Sequence, residues 1–98
     1  MYKQFRIISS EALGKEVDIL LKELDIKEYI IMNDIKGNWG EKIKHMNSHI
    51  WPGIDEVRIV IVPKVEAEKL KNTLKDLKSR IKESLMLRVI ITNIDEII

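Results

Sequence analysis

Cysteine is absent from this sequence, which excludes disulfides, thiolate metal sites and thiol nucleophiles. That usage is compatible with a reducing cytoplasm, and a cytoplasmic protein is expected. Charge of one sign is also lacking. Seventeen Lys and Arg against sixteen Asp and Glu leave a net charge of +1, too little for a global field that gathers nucleic acid or an anionic membrane. No apolar run approaches the ~20 residues that span a bilayer. The opening MYKQFRIISSE is too short and too mixed for a signal peptide, so no membrane insertion is expected. Aromatics are scarce at 5%, and the strand-like Val57–Pro63 carries none, which argues against RNA stacking on a sheet. Internal repeats, low-complexity tracts and interdomain linkers are lacking too. What remains is 98 residues, 45% apolar and 34% charged, the profile of a single globular domain over residues 1–98.

The scarce residues are concentrated. Gly37–Gly53, GNWGEKIKHMNSHIWPG, holds both tryptophans, both histidines, three of the four glycines and one of the two prolines. Unstructured loops longer than about 12–15 residues are uncommon in compact domains and usually functional or disordered, and disordered segments are poor in aromatics. A partly ordered functional loop is therefore expected.

Around it the pattern is regular. Tyr2–Ser9 alternates as a strand, with Phe5 and Ile7 on one face and Ile8 on the other. Ser9 or Ser10 is placed to cap a helix over Ala12–Leu24, whose stripe is Leu13, Val17, Leu20, Leu21 and Leu24. Gly14 interrupts that helix, either at a mild cost or to allow close packing. A strand follows over Glu28–Lys36, then the loop, closed by the turn signal Trp51-Pro52-Gly53. Val57–Pro63 is a strand and Val65–Ile81 an amphipathic helix. Leu85–Thr92 is the last strand, and the tail NIDEII adds a short edge strand or turn. The order β-α-β-β-α-β gives an α+β, ferredoxin-like sandwich: one antiparallel sheet with two helices on one face.

The strands are apolar on both sides. Val57, Ile59 and Ile61 oppose Val60 and Val62; Leu87, Val89 and Ile91 oppose Ile90; Ile30 and Met32 oppose Tyr29, Ile31 and Ile35. A sheet face that the helices do not cover should be polar in a monomer. An apolar one marks an association surface, so an obligate oligomer is expected.

Catalytic chemistry finds little support. The candidate nucleophiles Ser9, Ser10, Ser48, Ser79, Ser84, Thr73 and Thr92 lie in no nucleophile elbow. Asp34 and Glu41 beside the loop glycines read as solvated carboxylates, and no enzyme is expected. His45 and His49 would share one face, and a divalent metal, if their segment were helical, with Met46 and Glu41 as further ligands. Lys36-Gly37-Asn38-Trp39-Gly40 follows a strand, where glycine lets backbone N–H groups approach an anion. It matches no P-loop, and an ordinary turn is the plainer reading. Lys64, Lys69, Lys71, Lys75, Lys78, Arg80 and Lys82 alternate with acids along the second helix, as on a solvated face.

Two stretches carry a resemblance to a family. EYIIMNDIKG resembles the segment of PII signalling proteins that leads into their long T-loop. HIWPGIDEVRIVIV is similar to short-loop PII-like proteins, and the likeness runs from Phe5 to the IDEII tail. The resemblance implies a cytoplasmic homotrimer with ligand clefts between subunits at the loop bases. It implies a sensor of a small ligand, of the adenine nucleotide class, that regulates a transporter, an enzyme or transcription through its loop. The residues it points to are Lys36, Gly37, Asn38, Trp39, Gly40 and Arg88, with Lys78, Arg80 and Lys82 nearby. Trp51 is expected at a subunit boundary. Lys36–Gly40 would face ligand, Glu41–Ser48 would be a mobile partner-facing arm, and His49–Gly53 would lead back into the sheet. Three features depart from the family. K-G-N-W-G replaces R-G-x-G, no tyrosine stands in the loop, and KSRIKESLM replaces the glycine-rich second phosphate loop. A divalent-metal trimer of the copper-tolerance type, using His45 and His49, is one alternative, and a ligand-free interaction module is another.

Overall fold

A computed structural model describes residues 1–82 and 84–98. Strand β1 (Tyr2–Ser10) passes through a 3₁₀ turn at Glu11–Leu13 into helix α1 (Gly14–Glu23), and β2 (Ile30–Ile35) follows. Two short strands, β3 (Gly37–Asn38) and β4 (Lys44–His45), lie inside the long loop. Then come β5 (Asp55–Pro63), α2 (Lys64–Arg80) and β6 (Leu87–Ile94). The main sheet has the order β2-β5-β1-β6, every neighbouring pair antiparallel. This is the expected ferredoxin-like arrangement.

The alternation read in the sequence decides the layers. Phe5 and Ile7 of β1 and Val60 and Val62 of β5 point into a core completed by Val17, Leu20 and Leu21 of α1 and Ala67, Leu70, Leu74 and Leu77 of α2. Each such side chain larger than alanine, once buried, contributes roughly 1.5–3 kcal/mol. The opposite face carries the second apolar set. Ile30 pairs across from Ile59 and Met32 from Val57, and Ile61 and Ile90 stand on the same side. Among the described residues no helix covers them: Ile30 is 60% exposed and Ile61 45%.

Several local expectations are corrected. Ser10 caps no helix; its Oγ accepts from Met86 N–H at 2.8 Å and ties the end of β1 to the lead of β6. Of the two readings of Gly14, close packing is the one supported: it is buried, and a Cβ there would sit 2.7 Å from Glu56 Oε1, the end of a flexible side chain. The second strand is shorter than expected and irregular, its register shifting between Met32 and Ile35 around Asp34 at φ 58°. Only Asn93 and Ile94 of the tail join the sheet, as the end of β6 rather than as a strand of their own.

Candidate functional site

The loop is organised by one carboxylate. Asp55 opens β5 and is fully buried. Its Oδ2 accepts the indole Nε1–H of Trp39 at 2.8 Å, and its Oδ1 faces Nδ1 of His45 at 2.6 Å. A carboxylate has only lone pairs to offer, so His45 donates from Nδ1. Trp39 stands just after β3 and His45 in β4, so Asp55 grips both arms of the loop hairpin. The backbone agrees: Gly37 pairs with His45, Asn38 with Lys44, and Trp39 N–H donates to Ile43 O at 2.8 Å. The hairpin therefore folds as a lid on the head of β5.

Two glycines make this packing possible. A Cβ on Gly37 would lie 2.4 Å from Trp39 Nε1 and 2.5 Å from Asp55 Oδ2. The space a Gly37 side chain would take is filled by the chain's own indole and carboxylate. Gly53 adopts φ 97°, closed to most side chains, and the ring of His45 packs 3.3 Å from where its Cβ would be. The turn expected at Trp51–Gly53 lies earlier: the chain bends over 47–51, and Pro52 and Gly53 follow without a turn of their own. The bend is fastened by Asn47 N–H to Gly53 O at 2.9 Å and Trp51 N–H to Ser48 Oγ at 3.0 Å.

Of the expected ligand residues, the fold brings Trp39 and Arg88 together. The Arg88 guanidinium lies 5.0 Å from the centre of the Trp39 ring, within cation–π range. Beside them is a depression of about 250 Å³, bordered by Ile43, Lys78, Ile81, Lys82 and the Leu85–Leu87 approach to β6. The stretch replacing the glycine-rich phosphate loop thus comes to the loop base, although Glu83 lies outside the described residues. Lys36 and Gly40 are exposed, and the Asn38 side-chain oxygen accepts from Gly40 N–H at 3.2 Å. Asn38 and Gly40 make a turn, and Arg80 pairs with Asp76 at 3.1 Å.

The metal reading loses its geometric premise. Residues 43–49 form a strand and bends rather than a helix, His45 Nδ1 is committed to Asp55, and His49 is exposed. Among the described residues no three His, Cys, Asp or Glu gather as a metal site. The division of the loop also changes. Ile43–Asn47, expected to be mobile, is the bonded arm of the hairpin, and Ser48–Ile50 forms the projecting tip, with Ile50 78% exposed. Trp51 is half-buried under Lys44, whose Nζ stands 5.0 Å from the ring centre.

A second polar cluster escaped the sequence reading. Arg58 of β5 is 2% exposed on the helix side of the sheet. Its Nε donates to Asp18 Oδ1 at 2.9 Å, Nη2 to Gly14 O at 3.4 Å, and Glu56 Oε2 lies 3.6 Å away. Tyr29 OH donates to the same Asp18 oxygen at 3.2 Å. Burial first, then the Asp18 carboxylate, raises the Tyr29 phenol above its ordinary value of 10.0. One signal was available: Arg58 shares the inward parity of Val60 and Val62, where a charge needs partners.

No family model and no curated protein matches this sequence. Solved structures do. CPII of Thiomonas intermedia bound to ADP and bicarbonate aligns with a TM-score of 0.69 at 18% identity, covering 93% of this chain and 87% of its own. A second structure of that PII-like nitrogen regulatory protein, with ADP, AMP and bicarbonate, gives 0.66 at 17% identity, covering 97% and 96%. A putative PII-like signalling protein of Thermus thermophilus gives 0.62 at 22% identity, covering 95% and 86%. At such identities the shared property is the architecture, and the chain has the ferredoxin-like fold of PII-like proteins.

Proposed function

We propose that this chain is a non-enzymatic, PII-like regulator that binds a small anionic ligand of the adenine nucleotide class beside the base of its loop. One observation carries the reading: Trp39, Arg88, Lys78 and Lys82, drawn from three separate segments, border one depression. An aromatic face suits a base, and the cations suit phosphates. The ADP- and AMP-bound structures of the similar CPII support the same ligand class. As an open feature of about 250 Å³, the depression falls short of the roughly 300–1,000 Å³ of enclosed ligand sites. A neighbouring subunit would complete it.

That neighbour follows from the uncovered sheet face. Ile30, Met32, Val57, Ile59, Ile61 and Ile90 would be buried between copies in a homotrimer. Ligand held at Trp39 would bias the hairpin that Asp55 fastens, and the tip at Ser48–Ile50 would present that state to a partner protein. Calorimetric titration with ADP, AMP and ATP tests the reading. Saturable heat that Arg88→Ala weakens supports it, and no heat with any nucleotide removes it.

A further inference from the structure

The two edges of the sheet are finished differently. At the β2 edge the register breaks between Met32 and Ile35, with Asp34 in the left-handed region. Bulges of this kind blunt an edge against further pairing. At the other edge β6 runs regularly beside β1, from Tyr2↔Ile94 to Ser9↔Leu87 without a shift. It contains no proline, lysine or bulge, and its sequence LRVIITNI is rich in β-branched residues. A regular edge strand of this length, without a bulge or proline, is a template for another strand.

The ground beside that edge is chemically specific. Leu74 of α2 and Val89 and Ile91 of β6 floor a groove of about 250 Å³, and Lys71, Lys75 and Lys78 rim it. Val89 and Ile91 are only half-buried. Among the described residues, none of the three lysines forms an ion pair. Along α2, Lys71 and Lys75 are separated by a rise of about 6 Å. Alternate residues of a strand are spaced about 6.6 Å. Carboxylates at every second position of an added strand therefore match the lysine spacing on the helix side of the sheet, and the intervening apolar side chains extend the uncovered face that carries Ile90.

We propose that β6 and this groove form a docking site for an extended acidic segment of a partner protein, added to the sheet as a fifth strand. Main-chain hydrogen bonds to the β6 edge supply affinity, and the lysines select acidic over basic segments. Lys78 also borders the depression beside Trp39 and Arg88, so an anion there competes with the segment for one ammonium. The site itself does not depend on nucleotide binding.

Fluorescence anisotropy of the full chain with a labelled peptide of alternating glutamate and valine tests this. The expected result is saturable binding at micromolar peptide, weakened about tenfold or more by the triple change Lys71→Glu, Lys75→Glu, Lys78→Glu. A peptide of the same charge with proline at its central positions should not bind, because it cannot extend the ladder. Hydrogen exchange should slow at β6 amides only with the first peptide. No binding, equal binding of the proline peptide, or binding unchanged by the charge reversal would overturn the proposal. Circular dichroism of the triple variant confirms that it folds. Should it not, Lys75→Glu alone replaces it with the same criterion of weakened binding. Loss of β6 exchange protection on dilution without peptide would show that a second copy occupies the edge, and would also overturn it.

Discussion

Trp39 and Asp55 are sixteen positions apart in sequence and joined by a 2.8 Å hydrogen bond that decides how the long loop lies. The indole that borders the candidate ligand depression is one of the two groups that hold the hairpin to the head of β5. Proposed ligand contact and loop fastening thus fall on one side chain.

Asp55→Leu tests the fastening. A leucine side chain of similar size offers no acceptor, so Trp39 Nε1–H and His45 Nδ1 both lose their partner. Leaving a buried donor unsatisfied costs about 1–3 kcal/mol. The denaturation midpoint should fall accordingly, and trypsin should cut faster at Lys42 and Lys44.

Gly37→Ala should act on the same contact by another route. Its methyl group claims the space between Trp39 Nε1 and Asp55 Oδ2, so the hydrogen bond must break or the hairpin must shift. Because both changes damage one contact, their effects on stability should be less than additive in a double-mutant cycle. Full additivity in denaturant melts would mean that Gly37 and Asp55 act separately.

The Tyr29 phenol gives a prediction in pH. Its value is raised in the folded chain, so its contribution to stability is fully present below the unfolded value near 10. That contribution is lost as pH rises through the higher folded value. Urea midpoints measured between about pH 8 and 11 should fall at the alkaline end, and fall less steeply in Tyr29→Phe. Equal slopes in the two proteins would contradict the Asp18–Tyr29 assignment.

How much of this was legible in advance follows from which physics each feature obeys. Strands β1 and β5 and both helices were readable because burial imposes periods of 2 and 3.6 on Phe5, Ile7, Val60, Val62 and the leucine stripes. The uncovered face was readable for the same reason, as a second apolar set on the wrong side of the sheet. The hairpin in the loop was not. Its strands are two residues each, too short for a period, and they are held by Asp55, which looks like any acid at a strand start. For Gly37, sequence reports a missing side chain but not what fills its place. Arg88 and Trp39 were both named, yet their stacking depends on how α2 returns the chain to β6.

The uncovered face yields a direct change of assembly. Ile61→Glu puts a carboxylate on the exposed face of β5, across from Gln4, while leaving the helix-side core untouched. Sedimentation equilibrium at micromolar concentration should find a trimer for the parent chain and a monomer for the variant. A parent chain that sediments as a monomer would remove the subunit cleft from the proposal.

The most direct test of nucleotide sensing is calorimetric titration of the parent chain and Arg88→Ala with ADP, followed in parallel by tryptophan fluorescence. Saturable heat with a fluorescence change in the parent chain is expected, both weakened about tenfold or more in the variant, as loss of a charge-assisted contact predicts. Absence of heat and of any fluorescence change with ADP, and equally with AMP and ATP, would contradict it.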